Sequence, residues 1–151
     1  MKILMVCLGN ICRSPLAEGI MQKRANELNL DIYVDSAGTS AWHEGEKPDR
    51  RSIEIANKYG VDISKQRSRP FTAADFDEFD YIFAMDLSNY SDIIAQARNE
   101  HETKKVHLLL SYAQMNTNEV PDPYYGGVNG FETVYKMINE ACERVLKTLA
   151  V

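Results

Sequence analysis

Cys7-Leu8-Gly9-Asn10-Ile11-Cys12-Arg13-Ser14 places a thiol and a guanidinium in one short segment, with five residues between them. A loop of that length, followed by Ser14-Pro15, can wrap one tetrahedral oxyanion with Cys7 at its centre and Arg13 at its edge. The guanidinium offers a planar fork that holds two oxygens at once. A loop running into a helix N-terminus also presents unpaired N–H groups and the positive end of the helix dipole. The same field favours the thiolate form of Cys7. Gly9 permits a positive φ and a close approach of the backbone. A thiolate so placed can displace the leaving group of a bound phosphate and become a phosphocysteine.

That displacement needs a proton for the departing oxygen and then a base for water. Asp122 is the candidate, because Pro121 and Pro123 restrict the backbone on both sides of it. One carboxyl group can act as acid in the first step and base in the second. Arg13 and the loop amides supply the charge stabilisation, so neither a metal nor another cofactor is called for. Cys12 lies close enough in the loop to capture an oxidised Cys7 as a disulfide, or it is simply a small buried residue. Cys142 sits on the apolar seam of a helix and reads as packing. His43, His101 and His107 show no pairing with a nucleophile and receive no role.

The elements that must hold these residues follow from periodicity. Residues 2–6 form an apolar run of strand length directly before the loop, and Ser14-Pro15 reads as a helix start with Ser14 as N-cap. Ala17, Ile20, Met21, Ala25 and Leu28 give that helix one apolar face. Further strands are predicted at 32–34, 80–85 and 106–110, and helices at 49–59, 88–98 and 131–149. Residues 116–130 read as a turn-rich loop. Strands alternating with helices predict a single α/β domain over residues 1–151. Its four-stranded parallel sheet has helices on both faces, Rossmann-like with flavodoxin-like order. In such sheets ligands bind beyond the carboxyl ends of the strands, where the Cys7–Arg13 loop emerges.

Composition sets the outer bounds. The chain has 151 residues, 44% of them apolar and 26% charged, which is ample for one core. A net charge of -5 argues against nucleic acid as the partner. No apolar run approaches a membrane span, and the opening residues have no cleavage signal behind them. Three cysteines suit a reducing compartment, so a cytoplasmic protein is expected.

Two separated motifs carry a resemblance. Cys7 to Pro15 and Asp122-Pro123-Tyr124-Tyr125 resemble the two signatures of the low-molecular-weight protein-tyrosine phosphatases. Asp35-Ser36-Ala37-Gly38 with Trp42, Phe79 to Ile82, Met85-Asp86 and Phe131 to Tyr135 also resemble that family. The resemblance implies Cys7 as nucleophile, Arg13 as phosphate clamp and Asp122 as general acid. It implies a hydrogen-bond network of Asn10, Ser14 and Ser36 that holds the loop, with the Ser14 hydroxyl stabilising the thiolate. Leu8, Trp42, Tyr124 and Tyr125 would line a slot for a phosphorylated aromatic ring, with Gly9, Ile11 and Cys12 completing the phosphate loop. The implied partner is a phosphotyrosine protein, with a cognate tyrosine kinase in the same pathway and the chain itself a monomer. Many relatives carry histidine at the position of Gln66, which can hydrogen-bond but cannot become a cation.

Rivals on the same fold are an arsenate reductase, which needs further cysteines after the middle of the chain, and a protein-arginine phosphatase. The latter has threonine at the Ile11 position and lacks the Tyr124-Tyr125 pair. A catalytically silent phosphotyrosine-binding module would be expected to lose Cys7, Arg13 or Asp122. A nucleotide phosphate loop would need Gly-Lys-Ser/Thr, which is absent.

Overall fold

In the computed structural model, which describes residues 1–149 with Val128 in its main chain only, four parallel strands run in the order β2-β1-β3-β4. The strands are β1 Lys2–Cys7, β2 Tyr33–Gly38, β3 Tyr81–Ala84 and β4 Val106–Leu108. The helices are α1 Arg13–Glu27, α2 Arg50–Lys58, α3 Asp75–Glu78, α4 Leu87–Ile94, α5 Glu100–Thr103, α6 Leu109–Tyr112 and α7 Gly130–Leu149. This is the expected doubly covered α/β domain with flavodoxin-like order.

Strand β1 sits between β2 and β3, so both its faces are buried and Ile3, Leu4, Met5 and Val6 are all fully inaccessible. Alternation sorts them. Ile3, Met5 and Cys7 join the core under α1 and α7, with Leu16, Ile20, Val134, Ile138 and Cys142. Leu4 and Val6 join the opposite core, with Phe71, Phe76, Phe79 and Ile93. Cys142 is wholly buried and is a packing residue, as its place on the seam indicates. The parity of β1 therefore decides that Cys7 leaves the sheet on the α1 side.

Several expectations need correction. Ser14 is not the N-cap of α1. The helix begins at Arg13 with Cys12 in the cap position and no side-chain cap bond, and Ser14 lies inside the first turn. Its hydroxyl is turned to Cys7 Sγ at 3.0 Å instead. Gly9 does not take the left-handed conformation; Asn10 does, with φ of 56°. Asparagine tolerates that region better than most residues, and its side chain gains three bonds there. Strand β2 extends to Gly38, well past 34, because it pairs with β1 from Lys2–Tyr33 to Cys7–Gly38. Asp35 and Ser36 hid this extension by interrupting the apolar run. At the other edge β4 is shorter than predicted, as Leu109 and Leu110 already belong to α6.

The carboxyl ends of β1 and β2 then meet the loop. Thr39 N donates to Cys7 O and Ser40 N to Leu8 O, both at 2.9 Å. A Cβ on Gly38 would lie 2.8 Å from Leu8 O and 3.1 Å from Asn10 N, both backbone atoms that cannot turn aside. Gly38→Ala is expected to destabilise the fold by about 1–3 kcal/mol, the usual cost of overpacking. Urea unfolding of parent and variant measures it, and an unchanged midpoint would contradict so close a contact.

Candidate active site

The loop from Cys7 to Arg13 leaves β1 and enters α1 without a side-chain cap. Among the described residues no intramolecular acceptor engages the N–H groups of residues 9–14. A row of free donors at the N-terminus of a 15-residue helix is an anion site by construction. Cys7 is buried and lies at the base of a cavity of about 210 Å³. Leu8, Gly9, Ile11, Cys12 and Arg13 line it from the loop, with Ser40, Trp42 and His43 on one side and Asp122, Pro123 and Tyr124 on the other.

Arg13 is 6% exposed and held from behind. Its Nη1 donates to Asp86 Oδ2 at 2.7 Å and to Val120 O at 2.9 Å, which uses both protons of that nitrogen. Nη2 and Nε have no protein partner among the described residues, so the remaining edge of the guanidinium is the one that can grip two oxygens. Burial works against the charge, but Cys7 and then Asp86 outweigh it and hold the Arg13 pKa above the ordinary arginine value. Asp86 also caps α4, accepting from Asn89 N at 2.8 Å, so one carboxylate ties the clamp to the end of β3.

Behind the loop lies a polar network. Asn10 is 2% exposed; its Nδ2 donates to Ser14 Oγ at 2.9 Å and Ser36 Oγ at 3.0 Å. Its Oδ1 accepts from Arg69 N at 3.0 Å. Arg69 is fixed in turn by Asp35 and Asp75. Ser36 Oγ donates to Glu18 Oε1 at 2.7 Å. Gln66 donates from Nε2 to Pro15 O at 3.1 Å, which braces the start of α1.

Asp122 precedes a 3-10 turn over Pro123–Tyr125 and accepts from Tyr124 N through Oδ1 at 3.0 Å, while Oδ2 has no protein partner among the described residues. Tyr124 is 47% exposed; its hydroxyl donates to Asp49 Oδ2 at 2.8 Å, and the Arg51 guanidinium lies 4.6 Å from its ring centroid. Asp49 N donates to Ile11 O at 2.7 Å, so the Asp122–Tyr124 segment and the Cys7–Arg13 loop are joined through one residue. Trp42 lines the mouth while 85% exposed, and Leu8 is half exposed beside it. Tyr125, expected as a wall, does not line the cavity and is 89% exposed. The 3-10 turn points adjacent tyrosines in different directions, and only Tyr124 faces inward. Cys12 is buried in the cavity wall, and burial pushes its thiol up to about 12. It is a neutral thiol here and must lose its proton before it can attack an oxidised Cys7.

Asp49, Arg69, Glu18 and the wall residue His43 carried no signal at sequence level, and Asp86 only that of its resemblance to the family. Each acts through a contact that only the fold creates. Glu18 has the largest consequence for stability. Burial raises its pKa from 4.5 to about 7, against the Ser36 hydrogen bond. The folded state then binds the proton more tightly than the unfolded one. The associated stability is complete below about 4.5 and is lost as pH rises through about 7. Glu18→Gln is expected to remove that fall, so its thermal midpoint exceeds the parent's at pH 8 and matches it at pH 4.5. A constant difference across the range would contradict the shift.

Comparison with known proteins agrees with this geometry. The family model described as low molecular weight phosphotyrosine protein phosphatase matches residues 2–151. A Synechocystis sp. protein whose name places it among the low molecular weight protein-tyrosine-phosphatases is 47% identical over 152 residues, covering 99% of this chain and 96% of its own. The crystal structure of a protein tyrosine phosphatase from Entamoeba histolytica superposes with a TM-score of 0.93 at 41% identity, over 99% of this chain and 97% of that one. A Drosophila arginine phosphatase superposes with a TM-score of 0.92 at 39% identity, over 100% and 99% of the two chains. A cysteine–arginine loop at a helix N-terminus and an aromatic-walled cavity on this sheet thus coincide with a match over almost the whole chain: it belongs to the low molecular weight protein-tyrosine-phosphatase family.

Proposed function

We propose that this chain hydrolyses phosphotyrosine in proteins, and small aryl phosphates, through a phosphocysteine on Cys7. The observation that carries this reading is that Cys7, Asp122 and the free edge of Arg13 converge on one cavity walled by Tyr124 and Trp42. The Arg13 edge and the loop amides hold the phosphate oxygens. The Cys7 thiolate attacks phosphorus, the bond to the aryl oxygen breaks, and Asp122 gives that oxygen its proton. Water then attacks phosphorus while Asp122 takes back a proton. The P–S bond breaks, the thiolate returns and inorganic phosphate leaves. Charge building on the transferring group is met by donors already in place. A flat ring between Tyr124 and Trp42 brings its phosphorus to the cavity floor, whereas the shorter phosphoserine stops above it.

The arginine phosphatase in the comparisons keeps a second reading in play. Ile11 and the aromatic Tyr124 wall favour phosphotyrosine over phosphoarginine. A monomeric chain in the cytoplasm, acting against a cognate tyrosine kinase, is the setting that best suits this activity.

Steady-state kinetics on phosphotyrosine, phosphoserine and phosphoarginine peptides, with arsenate in parallel, tests the proposal. Phosphotyrosine is expected to be preferred by kcat/KM. Cys7→Ser should abolish turnover while still binding phosphate. Asp122→Ala should slow substrates with poor leaving groups by about a hundredfold to ten-thousandfold and activated aryl phosphates much less. Faster turnover of phosphoarginine would overturn the substrate assignment. Equal losses for both leaving groups would remove Asp122 as the acid.

A further inference from the structure

The contact between Ser14 Oγ and Cys7 Sγ, at 3.0 Å, leaves open which atom donates. A hydroxyl that donates stabilises a thiolate; one that accepts does not. The answer lies in how the protons behind Ser14 are disposed, and that can be counted. Asn10 Nδ2 has two protons and gives them to Ser14 Oγ and Ser36 Oγ. Its amide cannot be turned over, since Oδ1 already accepts from Arg69 N and reversal would set Nδ2 against that N–H. Both serines therefore accept from Asn10, and each keeps a single proton. For Ser14 the available acceptors are Cys7 Sγ at 3.0 Å and Ala37 O at 3.5 Å, and the sulfur is the nearer. For Ser36 it is Glu18 Oε1 at 2.7 Å.

We infer that Glu18 is a positioning residue that anchors the hydrogen-bond chain Glu18–Ser36–Asn10–Ser14 by accepting the Ser36 proton, and so, with the Asn10 amide oriented by the Arg69 N–H, keeps the Ser14 proton pointed at the Cys7 sulfur. The inference rests on the proposed role of Cys7 as nucleophile. A carboxylate can only accept, so it draws the Ser36 proton outward and leaves the Ser36 lone pair to Asn10. Asn10 is thereby anchored at one end and donates at the other. Bonds in such a chain polarise one another.

Both forms of Glu18 are within reach near neutral pH, because burial lifts the carboxyl to about 7. Asp35 on β2 adds to the rise and Arg69 opposes it, while Tyr33 on β2 feels the Glu18 charge in turn. Lys23 and Glu27 on α1, with Asp62 and Lys65, line the same open cleft as Glu18, of about 820 Å³, which gives the carboxyl a route to exchange protons with solvent. Gln66 lines the same cleft and brings no charge. Its Oε1 is buried without a partner among the described residues, and its Nε2 is spent on Pro15 O.

Anchoring and field make opposite predictions. Deleting a negative charge near Cys7 eases its ionisation, whereas deleting the anchor of the chain hinders it. The test is the pH dependence of iodoacetamide alkylation at Cys7, resolved from Cys12 and Cys142 by peptide mass, in the full chain. Glu18→Ala and Ser36→Ala are each expected to move the alkylation midpoint up by about one pH unit, roughly tenfold slower reaction on the acid side. The double variant should move no further, since both break one chain. Glu18→Gln, which still accepts from Ser36, should restore the parent profile to within about 0.3 units. A midpoint unchanged or lowered in Glu18→Ala, or shifts that add in the double variant, would overturn the relay. If Glu18→Ala does not fold, Ser36→Ala decides by the same shift. Alkylation needs no turnover, so failure of the phosphatase reading would appear separately, as absent hydrolysis by the parent.

Discussion

Two negative charges must share one small cavity in this protein: the Cys7 thiolate and the phosphate it is proposed to attack. At about 4 Å and an effective dielectric near 20, their repulsion is of order 4 kcal/mol. The surroundings must offset it before chemistry begins. An N-terminal helix dipole contributes about 0.3–2 kcal/mol, and each hydrogen bond to a charged group about 1.5–3 kcal/mol. No single one suffices comfortably, but Arg13 with the donors of residues 9–14 does. The architecture around Cys7 follows from that need. Strand β1 ends where donors accumulate, α1 starts uncapped so that its amides stay free, and Asp86 with Val120 O turn one edge of Arg13 away so that the other is presented.

Keeping donors unpaired has a cost in stability, and the structure distributes it. The left-handed turn falls on Asn10, whose side chain repays the strain with bonds to Ser14, Ser36 and the Arg69 amide. The network ends at Glu18, a carboxyl that burial disfavours in its charged form. A group that lowers folded stability above neutral pH while ordering the nucleophile's surroundings is what a stability–activity trade-off looks like at the level of one residue. The Asp49 bridge works differently. It joins two loops at the surface, where Tyr124, Arg51 and Ile11 O meet, and it costs little because its own carboxylate stays partly solvated.

Contiguity decides what the sequence makes legible. The Cys7–Arg13 loop and Asp122-Pro123-Tyr124 are short, and their chemistry can be read from residue type and spacing. The sheet is legible because buried parallel strands are apolar runs. What escaped is dispersed or disguised. Asp35 and Ser36 break the alternation of β2 because they serve the network and not the core. Ser14 resembles an N-cap in every local respect, and only its tertiary contact with Cys7 shows otherwise. Tyr124 and Tyr125 are indistinguishable in sequence, yet the 3-10 turn sends one to the cavity and the other to solvent. Glu18, Asp49, Arg69 and Asp86 acquire their roles from partners tens of residues away.

The central claim, that the loop holds a thiolate which takes the phosphoryl group onto itself, is tested most directly by rapid acid quench during turnover of an aryl phosphate. The account predicts a burst of phenol equal to the enzyme present and a phosphoryl adduct on the peptide that contains Cys7. A linear release with no burst and an unmodified Cys7 peptide, at substrate concentrations that saturate the enzyme and with hydrolysis of the adduct slowed, would contradict it.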